Sequence, residues 1–469
     1  MKFVIVGGGI SGWLSALIFS HRKPNHEYVI IESSDVNTIG VGEGTTGLFV
    51  QTIEQLPDIN VAEFLRETKA TPKIGIEFNN WSGKGSTFFN PIDGTLTTNE
   101  DFDSFLYFTY IQNSSLDTSS LHGLLKRKNK SPYTEKLKDY NSALHLDNKL
   151  TIQYLKSKSL KRKNIKYISD TVSKIERDET GKVEKIICSN NIIEGDIFID
   201  CTGYSRIFSE KSDWVSFKNN LPMNSVTTFT RKHNVSMVTK ADKLNLGWCW
   251  QIPTQERIGC GYVSCDQWGN SVIDEIKSNY PDAEILKSFK FDSGKLKKSW
   301  NHNVISLGLA YHFLEPLQAT NIHLTLVQID ILCQRCIRQT KDRTLNPDVI
   351  SIYNKHIDNL IEDFKNFINI HYSRDSRVTL TDYNKKIISL LKVRGLFFED
   401  LPQLYGCSGI GLWGHTLLGL NHLTKQECHN FLSEMNLYEE VKEISSELQT
   451  IFKNTSFISY QELIKKLSI

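Results

Sequence analysis

Val4-Ile5-Val6-Gly7-Gly8-Gly9-Ile10-Ser11-Gly12 is the stretch that decides how this chain is read. Apolar residues lead into Gly7-x-Gly9-x-x-Gly12, and apolar positions recur at Ile10, Trp13, Leu14, Leu17 and Ile18 with helical spacing. A strand, a tight turn and a helix N-terminus therefore meet at one point. Unsatisfied helix N–H groups and the helix dipole make such a junction a phosphate site. Gly7, Gly9 and Gly12 supply the tight turn, the close approach of a pyrophosphate and the close helix–strand packing. A second apolar strand, Tyr28-Val29-Ile30-Ile31, ends in Glu32, about 20 residues past the glycines, where dinucleotide ribose hydroxyls are met. The pattern predicts an adenine-dinucleotide site on a parallel sheet. It does not choose between nicotinamide and flavin.

The 469 residues suit two or three domains or one elaborated domain, and 39% hydrophobic with 23% charged residues is a globular composition. A net charge of +2 gives no global attraction to nucleic acid or anionic membrane. The basic runs at Lys126-Arg127-Lys128 and between Lys156 and Lys166 read as solvated faces. No apolar run approaches the roughly 18 residues of a membrane span, and the first apolar segment is a strand rather than a signal peptide. A cytoplasmic location and reduced thiols follow for the nine cysteines. Cys333-x-x-Cys336 falls in an apolar helical run, so buried thiols are expected there and no metal site anywhere.

Further along, Gly40-Val41-Gly42-Glu43-Gly44-Thr45-Thr46-Gly47 is a second glycine loop, expected against the cofactor. Thr71 to Trp81 reads as one half-buried strand, with Ile74, Ile76 and Phe78 inward and Lys73 and Glu77 sharing the other face. Residues 101–145 read as mixed, with helix expected around Phe105, Leu106, Phe108 and Tyr110. Gly195 to Gly203, with Asp200 near its end, reads as a late parallel strand whose carboxyl end meets the cofactor. Segments 225–230, 247–253 and 259–264 read as an antiparallel sheet over a pocket, and Val304 to Gly308 returns to the parallel pattern. From Asn346, an N-cap before Pro347, the chain is mostly helix. The predicted division is a dinucleotide module with an inserted sheet over 1–345 and a helical region over 346–469.

Five stretches, in order, resemble the flavin-dependent halogenases of the tryptophan-halogenase type, relatives of the aromatic monooxygenases. They are Gly7-x-Gly9-x-x-Gly12-Trp13; Val41-Gly42-Glu43-Gly44-Thr45; Lys73 ahead of Ile-x-Phe-x-x-Trp81; Trp248-x-Trp250-x-Ile252-Pro253; and Phe313-Leu314-Glu315-Pro316-Leu317. They span residues 1 to about 340, and the Trp-x-Trp-x-Ile-Pro stretch is the most specific of them. The resemblance implies an FAD-binding Rossmann-like α/β fold of the monooxygenase/halogenase type. It makes the dinucleotide FAD, held by Gly7, Gly9, Gly12, Trp13, Glu32, Val41, Gly42, Glu43, Gly44, Thr45, Asp200, Gly203 and Leu317.

The activity so implied uses reduced FAD, delivered by a separate flavin reductase, with O2 and a halide ion to make hypohalous acid. Trp248, Trp250, Ile252 and Pro253 would shield the flavin from the organic substrate, so that only the small oxidant reaches Lys73. There it would meet an electron-rich aromatic ring of the indole or phenol class, held in one orientation. A homo-oligomer is the default assembly.

The chain departs from the family after Leu317. A glutamate, serine, threonine and glycine are replaced by Gln318, Ala319, Thr320 and Asn321. Gln318 can hydrogen-bond the oxidant but cannot act as a base near neutrality. Another acceptor, Glu77 or solvent, must take the ring proton. Thr320 and Asn321 lie where the family's backbone contacts halide, and losing the glycine there changes backbone freedom. A preference for bromide or iodide is expected. An aromatic hydroxylase on the same fold, or a flavin-binding protein that has lost its chemistry, are the alternatives.

Overall fold

A computed structural model describes residues 1–35, 42–92, 104–113, 116–234, 236–401 and 410–467. At its centre is a six-stranded sheet in the order Trp300–Asn301, Val304–Ser306, Ile197–Asp200, Lys2–Val6, Glu27–Glu32, Ile165–Ser169. All neighbours run parallel except the short Trp300–Asn301 edge. Val6 lies opposite both Ile31 and Asp200, and Asp200 lies opposite Ser306. The registers therefore bring Gly7, Glu32, Cys201 and Leu307 out along one carboxyl edge, where ligands bind in open α/β sheets.

Strand alternation divides the two faces. Phe3, Ile5, Tyr28 and Ile30 pack with Trp13, Leu14 and Leu17 of helix Ile10–Arg22. Val4, Val6, Val29 and Ile31 pack with Val183, Ile186 and Ile193 of a three-stranded antiparallel sheet, Val172–Arg177, Val183–Cys188 and Ile192–Glu194. Each fully buried Leu, Ile or Phe contributes about 1.5–3 kcal/mol to this sandwich.

The inserted sheet has seven strands in the order Glu284–Lys290, Ser225–Arg231, Ile258–Ser264, Gly247–Pro253, Val238–Lys243, Gly75–Asn79, Thr87–Pro91. The anticipated antiparallel set is there, joined to the earlier part of the chain by the parallel pair Val238–Lys243 and Gly75–Asn79. Helix Pro347–His371 begins at Asn346, whose side chain accepts from the Asp348 and Val349 N–H groups. Its Tyr353, Ile357, Leu360, Phe364 and Ile368 pack into the same core as Phe3 and Trp13.

The structure corrects one reading of local conformation and completes another. Thr71 to Trp81 is not one strand: Thr71–Lys73 pairs with Ala143–Leu146, and Gly75–Asn79 belongs to the seven-stranded sheet. The chain changes sheets at Ile74, whose N–H bonds the Met237 carbonyl. Residues 104–146 hold not only helices Ser104–Asn113 and Leu121–Arg127 but also strands Lys130–Thr134 and Ala143–Leu146, which pair with distant partners Phe457–Ser459 and Thr71–Lys73.

Candidate active site

The nucleotide turn is shaped by the fold on one side and open on the other. Gly7 has φ +119°, and a Cβ there would lie 2.2 Å from the Cys201 carbonyl oxygen. A Cβ on Gly12 would lie 1.9 Å from the Gly7 oxygen, so helix and strand touch here as anticipated. Gly9 caps helix Ile10–Arg22 with no side-chain hydrogen bond, and nothing lies within 4 Å of where its Cβ would be. Gly203 is equally open.

Glu32 stands over Gly8 and accepts from Lys156 (2.5 Å) and the Tyr167 hydroxyl (3.1 Å). Lys156 therefore fixes this carboxylate and is not merely solvated, which corrects the reading of that basic run. Trp13 is fully buried against Tyr167, and Leu317 is buried in the same core. Both support the loops from beneath rather than lining an open surface. Asp200 is buried, and its Oδ1 accepts from the Thr202 N–H and hydroxyl, which shapes the Thr202-Gly203 turn. Burial pushes its carboxyl up.

Glu43 accepts from Asn148 (2.8 Å), and burial raises its carboxyl as well. Gly42 faces the Leu146 oxygen and Ile252; Val41 lies outside the described residues. Nearby, Arg206 Nε and Nη2 and both ring nitrogens of His312 are buried without a protein partner among the described residues. An open helix N-terminus, two open glycines and orphaned buried donors fit an extended anionic ligand, and FAD is such a ligand.

Strand Gly247–Pro253 is buried along its length and carries Trp248 and Trp250, with ring centroids 6.0 Å apart. Gly261 lies directly opposite Trp250, and a Cβ there would sit 2.1 Å from the indole. Trp81 continues the wall 6.1 Å beyond Trp248. Glu315 is fully buried and accepts from the Tyr372 hydroxyl; burial pushes its carboxyl up to about 8. The Pro253 carbonyl accepts from Thr71 Oγ1 at 2.6 Å, which ties the wall to the strand of Lys73.

Lys73 is fully buried, and its Nζ donates to the Thr45 carbonyl at 2.9 Å. The space beside Gly44 is flanked by Lys73 Nζ at 3.1 Å and Ala319 Cβ at 3.3 Å. The ammonium thus stands between the second glycine loop and the turn after Pro316. Its charge, after burial itself, depresses the imidazole of His145. Glu77 is elsewhere. The break at Ile74 turns it onto Lys126, 2.9 Å away, so it does not share a face with Lys73 as anticipated. Lys126 also pairs with Asp117, so that basic run too is only partly solvated.

Gln318 and Ala319 both adopt left-handed backbone, with φ +66° and +57°. Each such non-glycine residue costs about 1–3 kcal/mol and persists only where its surroundings enforce it. Asn321, by contrast, lies inside helix Thr320–Ile331. The conformational demand in this turn therefore falls on positions 318 and 319, not on the missing glycine. Thr320 starts the helix, buried, with its hydroxyl unpartnered among the described residues.

Beside this turn is a cavity of about 250 Å³, whose lining includes Thr46, Ile76, Asn90, Gln318, His323 and Phe364. Gln318 Nε2 is 2.8 Å from His371 Nε2, and His371 Nδ1 is 2.8 Å from the Phe367 carbonyl. His323 Nδ1 is 2.9 Å from Thr46 Oγ1. Sequence reading missed both histidines. Neither has a local signal, since each becomes informative only through partners far along the chain. Among the described residues no group of His, Cys, Asp and Glu is placed to hold a metal ion.

The fold is that of a Rossmann-type α/β protein with an inserted seven-stranded sheet, and its open nucleotide turn fits a dinucleotide. The chain belongs to the tryptophan halogenase family, whose profile matches residues 2–405.

It is 24% identical to the tryptophan 7-halogenase RebH of Lentzea aerocolonigenes over 409 residues, covering 79% of this chain and 76% of that one. It is 25% identical to the tryptophan 6-halogenase SttH of Streptomyces toxytricini, covering 79% and 78%. Among solved structures, the tryptophan halogenase of Shewanella frigidimarina superposes with a TM-score of 0.85 at 22% identity, covering 100% of this chain and 97% of that one. The protein is a flavin-dependent halogenase. Enzymes of this family use reduced FAD and halide and need a separate flavin reductase. Among the described residues no helix is long and apolar enough to cross a membrane.

Proposed function

We propose that the protein halogenates a small, electron-rich aromatic substrate of the indole or phenol class, with Lys73 receiving the oxidant. The observation that carries this reading is the burial of Lys73 between Thr45 and the Gln318-Ala319 turn, beside a largely apolar cavity. A buried amine near the reacting ring can hydrogen-bond a hypohalous acid or exchange a proton for the halogen. Bound FAD would supply the oxidation of halide. Gly9, Gly203, Glu32 and Glu43 would hold the cofactor, with Thr320 and Asn321 near the halide. Trp248 and Trp250 exclude the organic ring from that edge.

Gln318 contributes a hydrogen-bond acceptor. His371 Nδ1 faces a carbonyl and so carries the proton, which makes Nε2 an acceptor. Gln318 must then present its NH2 to His371, and its oxygen is the end turned away. The altered turn supports a preference for bromide or iodide over chloride. The described lining residues carry no charged pair to grip an amino-acid backbone, which favours a neutral ring over free tryptophan.

The test supplies reduced FAD, air, a panel of indoles and phenols, and each of the three halides, and reads product masses. A halogen mass shift that disappears in Lys73→Ala, with flavin still bound, is the expected result. An added oxygen instead would assign a hydroxylase, and no turnover would assign a lapsed enzyme. Equal or better turnover with chloride would overturn the halide preference.

A further inference from the structure

We propose that His323 is the base that takes the proton from the halogenated ring carbon. This rests on the reading that the cavity beside Lys73 holds the aromatic substrate. Replacement of ring hydrogen by halogen leaves a proton that must be removed to restore aromaticity, and the turn beside Lys73 offers a glutamine, Gln318, rather than a carboxylate.

The alternatives fail one by one. Gln318 is not a base. Glu77 is paired with Lys126 on the far side of its strand. Glu315 is held by Tyr372 beyond the indole wall and does not line the cavity. His371 has its Nδ1 on the Phe367 carbonyl and its Nε2 on Gln318, so no lone pair of its ring faces substrate. Lys73 delivers the halogen.

Among the described residues that line the cavity, His323 has the only imidazole, and no carboxylate or amine accompanies it. It comes from the first turns of helix Thr320–Ile331, on the same wall as Gln318 and Thr320. Its orientation is fixed by Thr46 Oγ1 at 2.9 Å from Nδ1 and by the Phe364 ring, 5.6 Å between centroids. Thr46 Oγ1 can accept from Nδ1 or donate to it; the proposed role requires the tautomer in which Nδ1 donates and Nε2 bears the lone pair.

The step balances. The ring's π electrons form the carbon–halogen bond as the halogen–oxygen bond of the hypohalous acid breaks. The C–H electron pair then returns to the ring as its proton passes to His323, and that proton and the released hydroxide leave as water.

The test compares protiated and ring-deuterated substrate in the parent enzyme and in His323→Asn. Asparagine keeps an amide where Nδ1 stands, and so the Thr46 bond, and removes the basic nitrogen. Loss of a general base should lower turnover by about 10²-fold. It should also bring out a primary isotope effect larger than the parent's, because proton loss becomes rate-limiting. An unchanged rate, or a slower rate with the parent's isotope effect, would overturn the assignment. Absence of halogenated product from the parent would instead overturn the reading beneath it. If His323→Asn does not take up flavin, His323→Gln is judged by the same two numbers.

Discussion

Gln318, which lines the cavity, meets His371 nitrogen to nitrogen, 2.8 Å apart. The imidazole is fully buried among Phe78, Trp81 and Phe367, and burial holds it down at about 4. A neutral imidazole and a neutral amide are thus matched to each other. A glutamate at this position would put a carboxylate against the Nε2 lone pair. Gln318→Glu should therefore raise the titration of His371 by about 1–3 pH units, because an adjacent anion favours the imidazolium. Histidine NMR titration reads this directly; a His371 signal that still titrates near 4 would refute the pairing.

Gly9 and Gly12 separate ligand binding from folding. Gly9→Ala places a Cβ with no protein atom within 4 Å and should cost less than about 1 kcal/mol of stability, the scale of a helix-cap change. It should cut FAD affinity at least tenfold by filling the pyrophosphate approach. Gly12→Val drives its Cβ into the Gly7 oxygen and should give insoluble protein. Flavin titration and melting curves check both, and a Gly9 variant with parental flavin affinity would remove the turn from the cofactor site.

Gly261→Ala tests the indole wall. The new methyl group would displace the Trp250 ring, at a cost of about 1–3 kcal/mol for overpacking. A displaced indole should let more oxidant escape into solution. The measurement is the share of product formed on a freely diffusing trap added in excess, which should rise. An unchanged share would mean that Trp250 does not confine the oxidant.

Acid should destabilise the fold early. His312 is held at about 3, His371 and His415 at about 4, and His145 well below its ordinary value, in each case chiefly by burial. Their unfolded forms take up protons near 6.5, so the unfolded state binds more protons between 6.5 and 4. Stability is full above 6.5 and falls as pH drops through that window. Glu315, raised to about 8, Asp139, raised to about 6, and Glu43 and Asp200, also raised by burial, act in the opposite sense, but His21, His26, His356 and His422 are lowered as well, so the imidazoles outnumber them. Melting temperatures between pH 7.5 and 4.5 should fall steadily, whereas a flat profile would mean these imidazoles are accessible to protons.

The dinucleotide turn, the two same-face tryptophans and the Asn346 cap were legible because each is written in a few neighbouring residues. Glycine spacing, a period of two and a capping side chain before Pro347 are local signals. The neighbourhood of Lys73 was not. Ile74, Ile76 and Phe78 alternate as in one strand, and only the partners at 143–146 and 238–243 reveal that the chain changes sheets. Strands Lys130–Thr134 and Ala143–Leu146 are short and lack alternation, so distant pairing decides them. His323 and His371 are single residues on apolar helices whose chemistry depends on Thr46 and Gln318, far away in sequence.

The crossing at Ile74 also acts as a rigid coupling. Thr71–Lys73 is clamped to the layer that includes Glu43 and Gly44, while Gly75–Asn79 forms part of the cavity wall through Ile76. One residue separates the two, too short to absorb slippage. Any sliding of one layer relative to the other is transmitted to Lys73 and changes its reach into the cavity. Insertion or deletion of a single residue at position 74 would put the amine out of step with both layers.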